Sequence, residues 1–348
     1  MRNRLVLLAA ALILCSAIMQ AQAKKTKTAE TKPTVPVSEM VLNGKIDEAV
    51  KLAVQSPVSA ESALNSLMAR ADTQIVNFKI EDAMLTLDAA QKFLEAYDKA
   101  SPMKKMPREA LMGRHFRLQG IIFNNNREFA QARDILKQAL QVSKNAQDPG
   151  LEAGIRNNLG YALQNLKQFE DASKEFDTAR QIAEQQKDDL RAGSYNFNLG
   201  KVLLDYLANP ERAMEAFKRA ESQNKAAGRT VIEARAILMQ GVASNRLDPK
   251  SAEALKLFGN AEAMFEKIGD NQNAGWSFYL MGDHVQNSLD YKRAAEFGEK
   301  AVPFLTKADD KAGLQACYEL LVKMYGNMGD KTKAESYKKL AEDLAAKK

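Results

Sequence analysis

The sequence predicts an all-α solenoid of antiparallel helix pairs, and the first observation behind this fold class is a recurring glycine. Five glycines stand 40, 40, 41 and 41 residues apart along the chain. Each is followed 12 or 13 residues later by an alanine, and a second alanine follows seven residues after the first. A fixed period of this length indicates stacked supersecondary units. The glycines are Gly120, Gly160, Gly200, Gly241 and Gly282.

The second observation is that apolar residues recur at helical spacing from Ser38 onward, while strand patterns are nearly absent. The clearest unit covers residues 156–182, where an apolar stripe on the first helix contains Gly160, which lets a second helix approach closely. The second helix alternates large and small residues on one face, so its alanines are expected to receive the glycine of the first helix. Neither helix covers its own apolar face, and each pair must therefore stack on the next.

Residues 1–23 are predicted to form a cleavable signal peptide. Two arginines precede an apolar run from Leu5 to Met19, and the small residues Ala21 and Ala23 fit cleavage after position 23. The run is shorter than the roughly 20 residues that span a bilayer, so we expect no membrane span in the mature chain. We expect a periplasmic or secreted protein, with lipidation at Cys15 as the less favoured alternative.

The remaining chain is expected to divide into three parts. Residues 24–37 are polar and contain two prolines, which predicts a flexible lead-in. Residues 38–100 keep the alanine pair without the glycine, which predicts divergent N-terminal helical repeats. Residues 107–346 carry the regular pattern, which predicts an array of six helix pairs. The alanine spacing increases from 40 to 49 residues at the junction, so a longer connection is expected around residues 101–107.

Charge and motifs argue against an enzyme, a metal site and nucleic-acid binding. The 50 Lys and Arg residues only slightly outnumber the 44 Asp and Glu residues, a balance too mild to favour nucleic acid. His115 and His284 lie in different units, and neither has a second His or Cys at metal-ligand spacing. Cys317 lies in an apolar stripe and is expected to be a buried small hydrophobe. We therefore expect no catalysis and no cofactor.

The repeated unit resembles the tetratricopeptide repeat family, whose motif places a glycine in the first helix and two alanines around an aromatic residue in the second. Three units carry the motif most fully, and one of them has Leu199, Gly200, Ala213, Phe217 and Ala220. The period of about 40 residues exceeds the family's usual 34, which indicates a long-repeat variety. The resemblance implies a right-handed superhelix whose concave groove binds protein or peptide partners.

The candidate ligand-groove residues are those on the first helix that point away from the second. They occupy positions three before, one after and five after each glycine, and two asparagines just before a glycine are added because family members hold ligand backbones with such amides. The apolar members of the same positions are Ile121, Leu238 and Val242. The polar and aromatic candidates are Arg117, Asn125, Asn157, Asn158, Tyr161, Asn165, Phe197, Asn198, Lys201, Asp205, Arg246, Tyr279, Asp283 and Asn287.

A structural role competes with ligand binding for several asparagines. Asparagine commonly caps or turns a helix end, and this role is favoured for Asn125, Asn165, Asn287 and Asn327. For Asn158 and Asn198 the two roles stay equally open.

The function predicted from the sequence is a non-catalytic exported scaffold that binds an extended peptide, or a helix, of an envelope partner in its groove. One alternative is a self-associating structural scaffold, a homo-oligomer of the cell envelope. Another is an accessory subunit or glycan-binding module of an envelope enzyme. The presence of a single tryptophan, Trp276, argues against glycan binding.

Overall fold

The computed structural model describes residues 35–101 and 108–346. Sixteen α-helices and no β-strand are present in these two ranges, which confirms the predicted all-α class. The predicted signal peptide at residues 1–23, most of the predicted lead-in and the connection at residues 102–107 lie outside the described residues. The domain boundaries expected from the sequence stay predictions.

The described residues fall into two compact units, of which the first contains residues 35–67 and 88–101. Large side chains are buried within this unit: Leu64, Phe93 and Tyr97 are each about 1% exposed or less, and the Phe93 and Tyr97 ring centroids lie 6.2 Å apart. Its helices are α1 (Val37–Leu42), α2 (Ile46–Gln55), the first part of α3 (Pro57–Val76) and the second part of α4 (Ile80–Ala100).

The second unit contains residues 68–87 and 108–346 and holds a run of helix pairs. Consecutive helices pack against each other, and the first helices of neighbouring pairs also touch, as α5 and α7 do. The helices of this run are α5 (Arg108–Asn125), α6 (Phe129–Ser143), α7 (Pro149–Asn165), α8 (Phe169–Gln185), α9 (Asp189–Asp205), α10 (Pro210–Ala226), α11 (Thr230–Leu247), α12 (Ala252–Ile268), α13 (Asn271–Gln286), α14 (Tyr291–Lys307), α15 (Lys311–Asn327) and α16 (Lys331–Ala346).

Three of the recurring glycines, Gly160, Gly200 and Gly241, let an aromatic ring of the second helix press against the backbone of the first. A Cβ atom at Gly200 would lie 2.6 Å from Cε1 of Phe217, and one at Gly160 would lie 2.9 Å from the Phe176 ring. The alanines on either side of each ring are fully buried. In these three units the aromatic residue between the alanines therefore receives the glycine, whereas the alanines were predicted to do so.

Most connections between helices end in a left-handed residue that closes a Schellman motif. After α7, Lys167 has a φ of 61° and its N–H donates to the Gln164 carbonyl over 3.0 Å. The next N–H, of Gln168, donates to the Leu163 carbonyl over 2.9 Å. These bonds satisfy carbonyl groups that the helix end leaves without partners. Lys167 adopts a left-handed backbone conformation that is strained for lysine and unstrained for glycine.

Most of the following helices begin with a side chain that caps the backbone. Asp188 accepts a hydrogen bond from the Arg191 N–H over 3.0 Å at the start of α9. Such a cap satisfies one of the free N–H groups of the first helical turn. The residues that cap in this way are Asp148, Asp188, Asn209, Ser251, Asp270, Asp290, Asp310 and Asp330.

In the part of the chain that the structure describes, no helix combines the length and the apolar character that crossing a membrane requires.

Candidate functional site

All fourteen predicted groove residues lie on, or directly after, the first helices α5, α7, α9, α11 and α13 of the second unit. Six of them are exposed and the other eight are half-buried. Among their apolar companions, Leu238 is only 8% exposed and belongs to a hydrophobic core cluster, so its placement on the groove was wrong. The exposed six are Asn125, Tyr161, Asn165, Asp205, Arg246 and Asn287.

Polar side chains connect the first helices of neighbouring pairs, and we call this set the inter-repeat ladder. Between α7 and α9, the Asn198 amide donates to Oδ1 of Asn157 over 2.9 Å. Between α9 and α11, the Arg246 guanidinium lies 3.5 Å from the Asp205 carboxylate and also donates to the Leu204 carbonyl. Four of the predicted groove residues therefore stabilise the stacking of one pair on the next.

The ladder continues at both ends of the array through side chains that were not predicted as groove residues. The Asn124 amide donates to the Asn158 carbonyl over 3.1 Å, and Lys323 donates to Gln286 over 2.9 Å. A sequence signal was present, because the position four residues after the glycine is an amide in four of five units. Those residues are Asn124, Gln164, Asn245 and Gln286.

His284 belongs to the ladder and is not an exposed titratable group. Its Nδ1 lies 2.7 Å from Oδ1 of Asn245, and its side chain is 5% exposed. Burial lowers the pKa of His284 against the opposing charges of Asp248 and Asp283. The ring is therefore held neutral at pH 7 as a link between α11 and α13.

Two of the asparagines predicted as helix-end residues donate hydrogen bonds to backbone carbonyls. Asn165 donates back to the Tyr161 carbonyl over 2.9 Å within its own helix, while Asn287 donates to the Pro249 carbonyl over 3.4 Å. The Asn158 side-chain nitrogen is buried and has no hydrogen-bond partner among the described residues.

Two of the predicted aromatic residues pack against other aromatic rings of the protein. The Phe197 ring meets Phe217 edge to face at 5.8 Å, and the Tyr279 ring meets Trp276 in the same manner at 5.3 Å. Burial raises the pKa of Tyr279, helped by the nearby charge of Asp283. These two rings leave less surface for a partner than their positions on the first helix indicate.

A cleft of about 490 Å³ brings three predicted residues together at the helix ends. The Tyr161 side chain is 47% exposed and packs edge to face against Phe129, with 6.3 Å between ring centroids. Phe78, in the turn between α3 and α4, is 87% exposed. The residues that line the cleft are Phe78, Ile80, Asn124, Asn125, Asn126, Arg127, Phe129, Tyr161 and Asn165.

Arg117 lies across α7 toward α9. A Cβ atom at Gly154 would be 3.6 Å from Cδ of Arg117 and 3.9 Å from the hydroxyl oxygen of Tyr195, so both groups lie above this glycine. Burial lowers the pKa of Arg117, and the charge of Asp72 opposes this effect. The arginine donates no hydrogen bond and forms no ion pair within the described ranges.

The groups that could support chemistry are dispersed. No three His, Cys, Asp or Glu side chains of residues 35–101 and 108–346 come together as metal ligands. Cys317 is buried, and burial raises the pKa of its thiol to about 12, so the reactive thiolate is scarce at pH 7.

Comparison with known proteins agrees with this architecture. The tetratricopeptide repeat family model matches residues 151–226, which cover α7 to α10. Residues 151–226 of the chain are therefore similar to tetratricopeptide repeats. The glycine, aromatic residue and paired alanines in these helices occupy the packing positions described above. No curated protein matches the sequence significantly.

Several solved structures share the fold of this chain. The apo form of RapI has a TM-score of 0.57 at 11% identity, covering 82% of this chain and 98% of RapI. A signal transduction ATPase with a tetratricopeptide repeat sensor, from Pyrococcus horikoshii, has a TM-score of 0.60 at 16% identity. That match covers 88% of this chain and 49% of the ATPase. NprR in complex with its cognate peptide NprX has a TM-score of 0.50 at 10% identity, with coverages of 81% and 78%. At these identities the likeness concerns the fold alone.

Proposed function

We propose that this protein is a non-catalytic, exported scaffold that binds an extended peptide, or a helix, of a cell-envelope partner through the first helices of its second unit. Helical repeats of this family are suited to protein–protein interaction. The observation that carries the proposal is the cleft around Tyr161, because it places exposed aromatic rings beside several side-chain amides.

The two kinds of group in the cleft fit the two parts of a peptide. An asparagine amide both donates and accepts, so Asn125 and Asn126 can pair with a peptide backbone that has the same two groups. The exposed rings of Phe78 and Tyr161 offer apolar surface, and burying such surface contributes about 25 cal/mol per Å². NprR, which shares the fold, is solved with a peptide bound, and this supports a peptide as the ligand class.

The absence of catalysis in the proposal follows from the site chemistry. The cleft contains amides, rings and one arginine, with no histidine, cysteine or carboxylate among its lining residues. General acid–base and nucleophilic catalysis most often use such groups, and the Tyr161 phenol is the one weakly acidic side chain that lines the cleft.

Export is proposed from the charged, apolar and small-residue segments of residues 1–23. Fusing residues 1–30 to alkaline phosphatase, which folds only outside the cytoplasm, tests this directly. The fusion is expected to be active, and N-terminal sequencing is expected to begin at Lys24. An inactive fusion that is fully expressed would contradict export, and a start at Cys15 would favour the lipoprotein alternative.

The binding surface is tested by photo-crosslinking from two positions of similar exposure. A benzoylphenylalanine replaces Tyr161, which is 47% exposed, or Leu340, which is 42% exposed on the second helix α16. In envelope extract, a discrete crosslinked partner is expected from position 161 and none from position 340. Equal crosslinking from both positions, or none from position 161, would contradict the proposed surface.

Self-association is a second candidate because apolar side chains cluster in sequence around the turn from α3 to α4. Val76, Phe78, Met84 and Leu85 are between 49% and 87% exposed, an unusual concentration of large exposed hydrophobic residues. Light scattering across a hundredfold range of concentration separates the candidates. A homo-oligomer would be favoured if the mass of the wild type rises with concentration while the double variant Phe78→Ser, Leu85→Ser keeps the mass of a monomer.

A further inference from the structure

We propose that the cleft around Tyr161 binds a tryptophan side chain of the partner peptide, with the indole ring against Phe78 and Tyr161 and the indole N–H donating to Oδ1 of Asn124. This inference rests on the proposed function, since it names the residue of the peptide that the same cleft recognises.

Asn124 holds a buried acceptor that has no donor. Its side chain lines the cleft and is 7% exposed. Its nitrogen donates to the Asn158 carbonyl over 3.1 Å, which fixes the orientation of the amide. Its Oδ1 is buried and has no hydrogen-bond partner among the described residues. Because a buried acceptor without a donor is unfavourable, a ligand that supplies an N–H here removes a penalty that the free protein carries.

Two further asparagines of the cleft also have their nitrogens engaged. The Asn126 nitrogen donates to Oε1 of Glu128 over 3.3 Å, and the Asn165 nitrogen donates to the Tyr161 carbonyl over 2.9 Å. These bonds orient both amides and leave their oxygens as the groups that accept from a ligand. The lining is therefore rich in acceptors, which favours a ligand that donates.

The charge of the cleft selects against ionised side chains. Arg127 is the one charged residue that lines it, and no carboxylate does. A lysine or arginine of the partner would lie near Arg127 without a counter-ion, and a carboxylate would meet the asparagine oxygens. The favoured ligand group is therefore neutral.

The rings of the cleft favour an aromatic group. The Phe78 side chain is 87% exposed and Tyr161 is 47% exposed, while Phe129 supports Tyr161 edge to face at 6.3 Å. Aromatic rings attract one another in edge-to-face and offset arrangements, and tryptophan is enriched among the residues that dominate interfaces. Tryptophan is also the aromatic residue whose polar group only donates, so it matches a lining of acceptors.

Phe78 adopts a conformation that a ligand contact would explain. Its φ is 58°, a left-handed conformation that is strained for a bulky residue, and most of its ring faces solvent. Strain and exposure both disfavour phenylalanine at this turn, whereas a ligand that packs on the ring gives it a function. Leu289, in the turn from α13 to α14, has the same features with a φ of 61° and 70% exposure, but it does not line the cleft.

The test begins with selection of random octapeptides by the purified full chain. Enrichment of tryptophan at one position is expected. Enrichment of an aliphatic or charged residue in place of an aromatic one, or of phenylalanine as often as tryptophan, would overturn the inference.

The hydrogen bond is tested on the ligand, which leaves the protein and its ladder intact. Calorimetry compares the selected peptide with one that carries 3-benzothienylalanine, whose sulfur replaces the indole N–H while the bicyclic ring is kept. Affinity is expected to fall at least about fivefold, because the Asn124 oxygen then stays buried without a donor. Equal affinities would overturn the assigned hydrogen bond.

The ring contact is tested with Phe78→Gly and with Leu289→Gly as the matched control. Both substitutions place glycine at a left-handed position, so the urea unfolding midpoint is expected to be unchanged or higher in both. Phe78→Gly is expected to bind the selected peptide at least about tenfold more weakly, and Leu289→Gly as the wild type does. A lower midpoint for Phe78→Gly alone would assign the ring to the protein's own packing, and equal binding by the two variants would exclude it from the site.

The failures of the two proposals are distinguishable. Peptides enriched without tryptophan would overturn this inference and leave peptide binding intact. Enrichment of no peptide would count against peptide binding itself and, with it, against the tryptophan site.

Discussion

Replacing Gly200 with alanine tests the packing that makes the helix pairs. The added Cβ atom would lie 2.6, 2.8 and 2.9 Å from three ring atoms of Phe217, whereas ordinary contact begins near 3.4 Å. Phe217 is fully buried between Ala213 and Ala220, and the Phe197 ring closes its edge at 5.8 Å. The ring therefore has no free space into which it could move.

The magnitude follows from a matched substitution in the same fold. Gly259→Ala lies inside α12 with no atom within 4 Å of the new Cβ, so it gains about 1 kcal/mol of helix propensity alone. Gly200→Ala gains the same propensity but overpacks the pair, which costs about 1–3 kcal/mol. The two variants should therefore differ by about 1–3 kcal/mol in free energy of unfolding, with Gly200→Ala the less stable.

Urea titration followed by circular dichroism at 222 nm measures this difference, and hydrogen exchange locates it in α9 and α10. Adding Phe217→Leu to Gly200→Ala should recover part of the loss, because the smaller side chain leaves room for the methyl group. If Gly200→Ala were as stabilising as Gly259→Ala, the close approach of glycine and ring would not hold the pair together.

Three further predictions concern turns, caps and titration. Lys167→Gly should raise the free energy of unfolding by about 0.5–1 kcal/mol in thermal melts, because the residue has a φ of 61°; a lower melting temperature would contradict this. Asp188→Ala should lower stability by about 1 kcal/mol through loss of the α9 cap, and Asp188→Asn should retain most of it; equal losses would point to charge rather than capping. His284 has a folded pKa below its ordinary 6.5, so its contribution is complete above that pH and is lost as the pH falls through the folded value. Between pH 7 and pH 5 the urea midpoint should therefore fall more for the wild type than for His284→Gln, and parallel curves would exclude this role.

The repeat architecture was predictable because the close packing of each helix pair requires glycine at positions that recur in the sequence. Where a ring must touch the opposite backbone, only glycine fits, and Gly160, Gly200 and Gly241 repeat for that reason. The partner of the glycine was assigned less well, since spacing cannot tell whether Ala213 or Phe217 fills the gap between two helices.

The candidate site was harder to predict because polar side chains can satisfy one another. Asn157, Asn198, Asp205 and Arg246 occupy positions that point away from the second helix, as expected, but they pair between neighbouring units. Such pairs join residues about 41 positions apart and depend on how one helix pair stacks on the next. The turn at Lys167 was also not predictable, because lysine rarely adopts the left-handed conformation that it has there.

Some predicted groove residues remain exposed, and these are the ones that a partner could contact. Tyr161, Asn125 and Asn165 meet in the cleft together with Phe78, which lies in a turn between two helices that lack the repeated glycine. The exposure of Phe78 depends on the turn between α3 and α4, and the irregular repeats of residues 38–100 did not predict where this turn lies.

The most direct test of partner binding by the first helices is hydrogen–deuterium exchange of the full chain, with and without a peptide that the purified protein selects from random octapeptides. Slower exchange is predicted at the ends of α5 and α7, around residues 121–129 and 157–167, with α8 and α10 unchanged. Protection confined to the second helices α8 and α10 would contradict the account.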